Sequence, residues 1–428
     1  MALFRTVRAI KIREIVVAPA GARSAIEIMG ERGERVPQKP DVPSKSEGGM
    51  LVIWNEVKEF AANYVTQNNA EFQSVAKQIW GHPELGMEEH EACRLHKQLL
   101  RKHGFTVMDE AASMPTAYIA SYGEGRPVIG ISAEMDALPG LSQKVMERKE
   151  PVQEGAPGHG CGHNLLGVGA ILAAVAVAAA LQEYKLPGTV KVFGAPAEEL
   201  CIGKVVMGNA GLFQGVDVFL DWHPFPYSHT DYAERPAYFN VRYHFKGKTS
   251  HGVSPWLGRS AFDAALLQGM AVEMLREHIP PEPAGTDDAP GGGHSINYTF
   301  SDTGPEIPNV VPDRTTAWYL GRLSNAELAQ EVLARVDACA EGAALATGTT
   351  VEKEYITFVH EMIPNQTVSN ALYENFQHLG DVVFSEEEKA FVLAMEQQEG
   401  MKPYFAEPGI RPPRSTVRGL LTPPNTAG

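Results

Sequence analysis

The sequence predicts an α/β fold: a sheet covered by helices on both faces, interrupted by a module with the strand order of a ferredoxin-like sandwich. Three observations carry that expectation. Strand-like runs alternate with buried helical runs up to about residue 222. The pattern then becomes β-α-β-β-α-β between about 237 and 357. Helical periodicity resumes after Val359, so the module lies between two α/β segments and reads as one domain inserted into another. Length agrees, because 428 residues exceed one ordinary core and imply two domains.

Residues 1–49 differ from the rest. Arg5, Arg8, Lys11 and Arg13 precede any acid, and a Pro/Ser/Gly-rich piece runs to Gly49. A transit peptide begins this way, but Glu14, Glu27, Glu31 and Glu34 argue against one. A disordered extension ahead of Met50 is the expectation. Residues 51–80 and 87–104 carry helical periodicity, broken at His82-Pro83-Glu84-Leu85-Gly86. Strands follow at 115–122 and 127–134, then a helix at 165–182 and strands at 188–194 and 216–222. In the module the expected order is strand 237–246, helix 259–278, strands 294–301 and 314–322, helix 324–346 and strand 350–357, with a Pro/Gly-rich loop at 280–293. Beyond it, Pro364-Asn365-Gln366 opens one helix and Ser385-Glu386-Glu387-Glu388 caps another. The resulting division is 51–234, 235–358 and 359–428.

Composition removes several classes of function. Apolar residues make up 44% and charged residues 21%, the balance of a soluble globular protein. A net charge of −15 without a basic block repels phosphate backbones, which excludes nucleic acid as a partner. Cys93, Cys161, Cys201 and Cys339 are too widely spaced for a disulfide framework, so a reducing cytoplasm is expected. The run Leu165–Leu181 resembles a membrane span, but it is alanine-rich and short for a bilayer, and reads as core.

The chemistry concentrates in Gly158-His159-Gly160-Cys161-Gly162-His163-Asn164, directly ahead of that apolar run. A Cys-x-His pair can offer sulfur and nitrogen to one borderline-soft divalent cation. Glycines allow the backbone a close approach. Taken alone, Cys161 reads equally as a buried structural thiol. Three further pieces follow strands. Asp136 comes just after the 127–134 strand, where open α/β sheets bind ligands. Glu198-Glu199 follows the 188–194 strand; beside a dication one carboxylate can ligate while the other takes a proton from water. His223 closes the third strand, and His251 ends the first strand of the module in a polar turn. Singly, each has an ordinary structural explanation. Three strand ends offering sulfur, nitrogen and oxygen to one sheet edge favour a metal site.

These residues, with Asp136-Ala137-Leu138-Pro139-Gly140-Leu141-Ser142, Ala197-Glu198-Glu199 and Pro308-Asn309-Val310-Val311-Pro312, resemble the M20 metallopeptidases, in their amidohydrolase branch. The resemblance runs from about residue 51 to about 400. It implies a zinc-peptidase-like catalytic domain with an inserted lid/dimerisation domain. It makes Cys161, His163, Glu199 and His223 ligands of one or two divalent ions, zinc or manganese, and Glu198 the general base. It makes Asp136 the carboxylate that orients His163, and His251 a lid histidine that reaches a neighbouring subunit's site to steady the oxyanion. Asn309 and Arg322 become candidates for gripping a substrate carboxylate. The implied substrate is an N-acyl amino acid such as p-aminobenzoyl-glutamate, or a dipeptide. The implied assembly is a homodimer, or a heterodimer with a related subunit.

One family element has no counterpart. A further histidine ligand is expected near the C-terminus, yet no histidine follows His378, and after Ser415-Thr416 the sequence departs from the family pattern. The chain therefore reads as truncated relative to the family. That leaves a rival expectation: a metal-poor homologue acting as a structural or regulatory subunit.

Overall fold

The computed structural model describes residues 47–224, 228–230, 235–281, 294–363, 365–380, 382–398 and 410–411. Residues 1–46 and most of the final thirty, on which the extension and truncation expectations bear, lie outside them. By contacts the chain forms two compact units, Met1–Trp54 and Asn55–Gly428. Of the first, only the opening of helix α1 (Glu47–Trp80) is described. All three sheets among the described residues belong to the second.

Five strands form the first sheet: β1 (Thr106–Asp109), β2 (Tyr118–Glu124), β3 (Val128–Glu134), β4 (Gly188–Ala195) and β5 (Val218–Leu220), in the order β1-β2-β4-β3-β5. β3 pairs in parallel with both β4 and β5, while β1 and β2 run antiparallel on one side. Alternation along the strands serves two cores. Tyr118, Ala120, Val190 and Val192 face α1, α2 (His90–Lys102) and α3 (His163–Glu183). Ile119, Phe193 and Ala195 face the other way, with Met207 of α4 (Gly203–Asn209) and Met114. The sheet is covered on both faces, as the sequence predicts. By length and composition α3 could cross a membrane, but Leu166, Val168, Ile171, Ala174, Val175 and Ala178 are buried in the core.

The second sheet holds β7 (Ala237–Lys246), β8 (Ser295–Asp302), β9 (Arg314–Leu323) and β10 (Thr350–Val359), ordered β10-β7-β9-β8 and antiparallel throughout. Helices α5 (Ala261–Leu275) and α6 (Ala326–Thr347) cover one face, over Phe239, Val241, Tyr243, Phe245, Ala317 and Tyr319. This is the predicted β-α-β-β-α-β order with its own core. The helix expected over 259–278 stops at Leu275 and passes into a 3-10 turn, Arg276–His278. Most of the expected loop 280–293 lies outside the described residues.

After β10 come α7 (Gln366–Leu379), α8 (Glu386–Gln398) and β11 (Ile410–Arg411), which pairs in parallel with β6 (Ser228–His229). Both predicted caps form. Asn365 Oδ1 accepts the Val368 N–H at 3.1 Å. Ser385 Oγ accepts the Glu388 N–H while Glu388 accepts the Ser385 N–H, a reciprocal capping box.

Candidate metal centre

Because β4, β3 and β5 are parallel neighbours, their carboxyl ends emerge side by side. Glu134 stands opposite Ala195, and Ile131 opposite Leu220. Three turns therefore leave one edge: Met135–Ala137, Pro196–Glu199 and Asp221–His223. The N-terminus of α3, which begins at His163, meets them there.

His163 is fully buried. Its Nδ1 lies 2.9 Å from Asp136 Oδ1 and 3.1 Å from the Asp136 carbonyl. Both partners only accept, so Nδ1 carries a proton and Nε2 is the ring atom left to ligate. Without a cation, burial pushes the imidazole down, but Asp136, Cys161 and Glu134 outweigh it and raise it to about 11. That Nε2 is buried without a hydrogen-bond partner, 3.4 Å from Glu134 Oε2 and 3.8 Å from Glu198 Oε2. His223 has the same polarity. Its Nδ1–H donates to the Pro224 carbonyl at 2.9 Å, which aims a bare Nε2 at Cys161 Sγ, 3.0 Å away. The His163 and His223 rings stand nearly perpendicular with centroids 6.2 Å apart. Asp136 Oδ2 accepts the Glu199 N–H at 3.0 Å, so one carboxylate ties the first histidine to the acidic turn. Burial, with Asp136 and Glu198 nearby, raises the Glu199 carboxyl, whose Oε1 is buried and unpartnered.

Two groups, in each of which the donor atoms lie within 4.8 Å of one another, could hold a cation: Cys161, His163 and His223, and Glu134, His163 and Glu198. Orphaned buried atoms, His163 Nε2 and Glu199 Oε1, are what a cation would satisfy, and thiolate, imidazole and carboxylate suit zinc. Cys161, His163 and His223 fit the metal that the sequence implies, whereas Glu199 falls in neither group and Glu198 falls in one.

Several supporting residues escaped sequence reasoning. Lys204 touches Glu134 and donates to Asp221 Oδ2 at 2.9 Å, joining the ends of β3 and β5. Burial pushes Glu134 up while Lys204 pulls it down; the two carboxylates outweigh burial and raise Lys204. Glu134 was detectable, since two-residue alternation places it on the same side of the chain as Asp136. Trp222 fixes the His223 turn: its indole N–H donates to the Leu166 carbonyl at 3.1 Å, and its ring lies 2.8 Å from where a Cβ on Gly169 would sit.

His251, Asn309 and Arg322 are placed differently. His251 bridges to Val310, its Nδ1 accepts the Val253 N–H at 3.1 Å, and the Asn309 amide lies 3.4 Å from its Nε2. They adjoin the Arg314 end of β9, where the Gly247 N–H donates to the Asp313 carbonyl. Arg322 sits at the other end, opposite Tyr238, with its guanidinium 5.4 Å from that ring. At roughly 3.3 Å per residue, the strand between them separates these positions by more than about 25 Å. Asn309 and Arg322 of one chain therefore do not converge. The Arg322 end adjoins the acidic turn, since Thr357 of β10 donates to the Cys201 carbonyl at 2.9 Å.

An α/β sheet covered on both faces, with thiol, imidazole and carboxylate donors at its parallel strand ends, defines a metallohydrolase. The chain belongs to peptidase family M20/M25/M40, whose pattern matches residues 130–377. It is 37% identical over 338 residues to one subunit of the p-aminobenzoyl-glutamate hydrolase of Escherichia coli (strain K12), covering 78% of this chain and 68% of that protein. It is 30% identical over 371 residues to the Xaa-Arg dipeptidase of Mus musculus, covering 82% and 78%. Its fold matches the crystal structure of an aminobenzoyl-glutamate utilization protein from Klebsiella pneumoniae, with a TM-score of 0.56 at 17% identity, over 83% of this chain and 93% of that one.

Proposed function

We propose that this chain hydrolyses the amide bond of an N-acyl amino acid of the p-aminobenzoyl-glutamate type, using zinc or manganese. The observation that carries the reading is the orientation of the two histidines: both Nδ1 atoms are held by acceptors, and both Nε2 atoms face the Cys161 and glutamate donors. Cys161, His163, Glu199 and His223 would hold the ion. Once bound, it supplies the Lewis acidity that acidifies water and polarises the amide carbonyl.

Glu198 is left for proton transfer. Its side chain is 30% exposed and stands 3.8 Å from His163 Nε2, so water and substrate can reach it. It takes the water's proton and returns it to the leaving amine. Asp136 keeps His163 in its ligating tautomer. Arg322, on the side of the acidic turn, can pair both oxygens of the substrate carboxylate. His251 and Asn309, at the far end of β9, would serve the site of a second subunit, where a His251 Nε2–H steadies the oxyanion. Leu266, Leu267, Met270 and Met274 of α5 and Tyr298 of β8 are exposed apolar groups suited to that contact. The second sheet then acts as lid and dimerisation domain, and a cytoplasmic setting fits the free thiols.

Similarity to the Xaa-Arg dipeptidase favours a second reading, a dipeptidase built on the same centre. Assays of the zinc- and manganese-loaded protein on p-aminobenzoyl-glutamate, hippurate and Xaa-Arg dipeptides separate the two. Chelator-sensitive turnover of the acyl amino acid is expected, and Arg322→Ala should raise KM by about 10-fold or more, the cost of a lost charge-assisted pair. Turnover that chelation leaves intact would overturn the reading, and preference for the dipeptides would favour the alternative.

A further inference from the structure

The turn Glu84–Glu89 lies under both segments that carry the acidic residues of the site. The Glu84 carbonyl accepts the Ala137 N–H at 2.7 Å, next to Asp136, and the Glu84 carboxylate accepts the Glu91 and Ala92 N–H groups that open α2. Gly86 packs so closely on Ala197 that a Cβ there would fall 2.9 Å from both Ala197 Cα and Cβ. Glu89 is fully buried, and no cation pairs with it among the described residues. Its carboxylate accepts the Ala197 N–H at 2.7 Å and the Thr116 hydroxyl at 2.8 Å. Ala197 is left-handed, at φ 50 and ψ 45, a conformation disfavoured for any residue with a Cβ, and it directly precedes Glu198 and Glu199. A strained residue needs surroundings that hold it.

We propose that Glu89 is a positioning residue: the reach of its two hydrogen bonds, and not its charge, locks the Ala197 turn and thereby aims Glu198 and Glu199 into the metal centre. The inference rests on the functional reading above for its kinetic consequence and on the ligand role of Glu199 for its effect on metal binding. Burial pushes the Glu89 carboxyl up to about 7, in keeping with a role that does not depend on ionisation.

Two variants of the full chain separate reach from charge. In Glu89→Gln the amide oxygen still accepts from Ala197, and the Thr116 hydroxyl can turn to accept from the amide nitrogen. Glu89→Asp keeps the charge but is one methylene short. For each, kcat and KM, Zn2+ affinity by chelator competition and the folded fraction by circular dichroism are measured. Glu89→Gln is expected to stay close to wild type. Glu89→Asp is expected to lose about 10²-fold in kcat with little change in KM, as an ångström of misplacement does, and about 10-fold in Zn2+ affinity. Wild-type behaviour of Glu89→Asp, equal losses in both variants, or losses that vanish on correction for folded fraction would overturn the proposal. A wild type that binds Zn2+ but hydrolyses nothing counts against the functional reading alone, and the affinity comparison then decides this one. A wild type without Zn2+ affinity overturns both.

Discussion

Glu198→Gln is expected to bind the metal as wild type does and to lose about 10³-fold in kcat, within the range that general-base catalysis contributes. The Glu198 side chain is 30% exposed, whereas Glu199 Oε1 is buried and its backbone N–H is hydrogen-bonded to Asp136. Glutamine matches the shape of glutamate but cannot take a proton from water, so binding and chemistry separate. Metal content by mass spectrometry and steady-state kinetics on the same preparation check it. Near-normal turnover would remove the base assignment, and loss of metal would make Glu198 a ligand.

Asp136→Asn is expected to be nearly as damaging, by another route. The native carboxylate accepts two hydrogen bonds, from His163 Nδ1 and from the Glu199 N–H. An amide offers one acceptor oxygen and one donor nitrogen, so one of those donors must face an N–H group. If the amide nitrogen faces His163, the imidazole moves its proton to Nε2 and loses the lone pair that ligates. If it faces Glu199, the acidic turn moves away. Either outcome should lower metal affinity by about 10- to 100-fold, the usual effect of removing the partner that orients a ligand. Chelator competition measures this, and unchanged affinity would show that Asp136 does not set the tautomer.

Much of the centre was legible because each motif follows a strand. Asp136, Glu198-Glu199 and His223 sit just beyond β3, β4 and β5, and strand order does the rest: parallel neighbours put their carboxyl ends on one edge. The antiparallel module was legible from its element order alone. What sequence could not supply were contacts whose partners lie far apart along the chain. Glu89 reaches Ala197 across 108 residues and Lys204 reaches Glu134 across 70, and neither pairing leaves a local signature. Strand β1 escaped because its edge position leaves it mostly exposed, without alternation. The separation of Asn309 from Arg322 did have a signal. A ten-residue strand, β9, comes almost entirely between them, and a strand puts what precedes it and what ends it at opposite edges.

The most direct test of the central claim is X-ray absorption at the zinc edge on protein loaded with Zn2+. One sulfur near about 2.3 Å among nitrogen and oxygen scatterers near about 2.0–2.1 Å is expected, with the sulfur lost in Cys161→Ala. A shell without sulfur, or a sulfur that persists in Cys161→Ala, would contradict a centre built from Cys161, His163, Glu199 and His223.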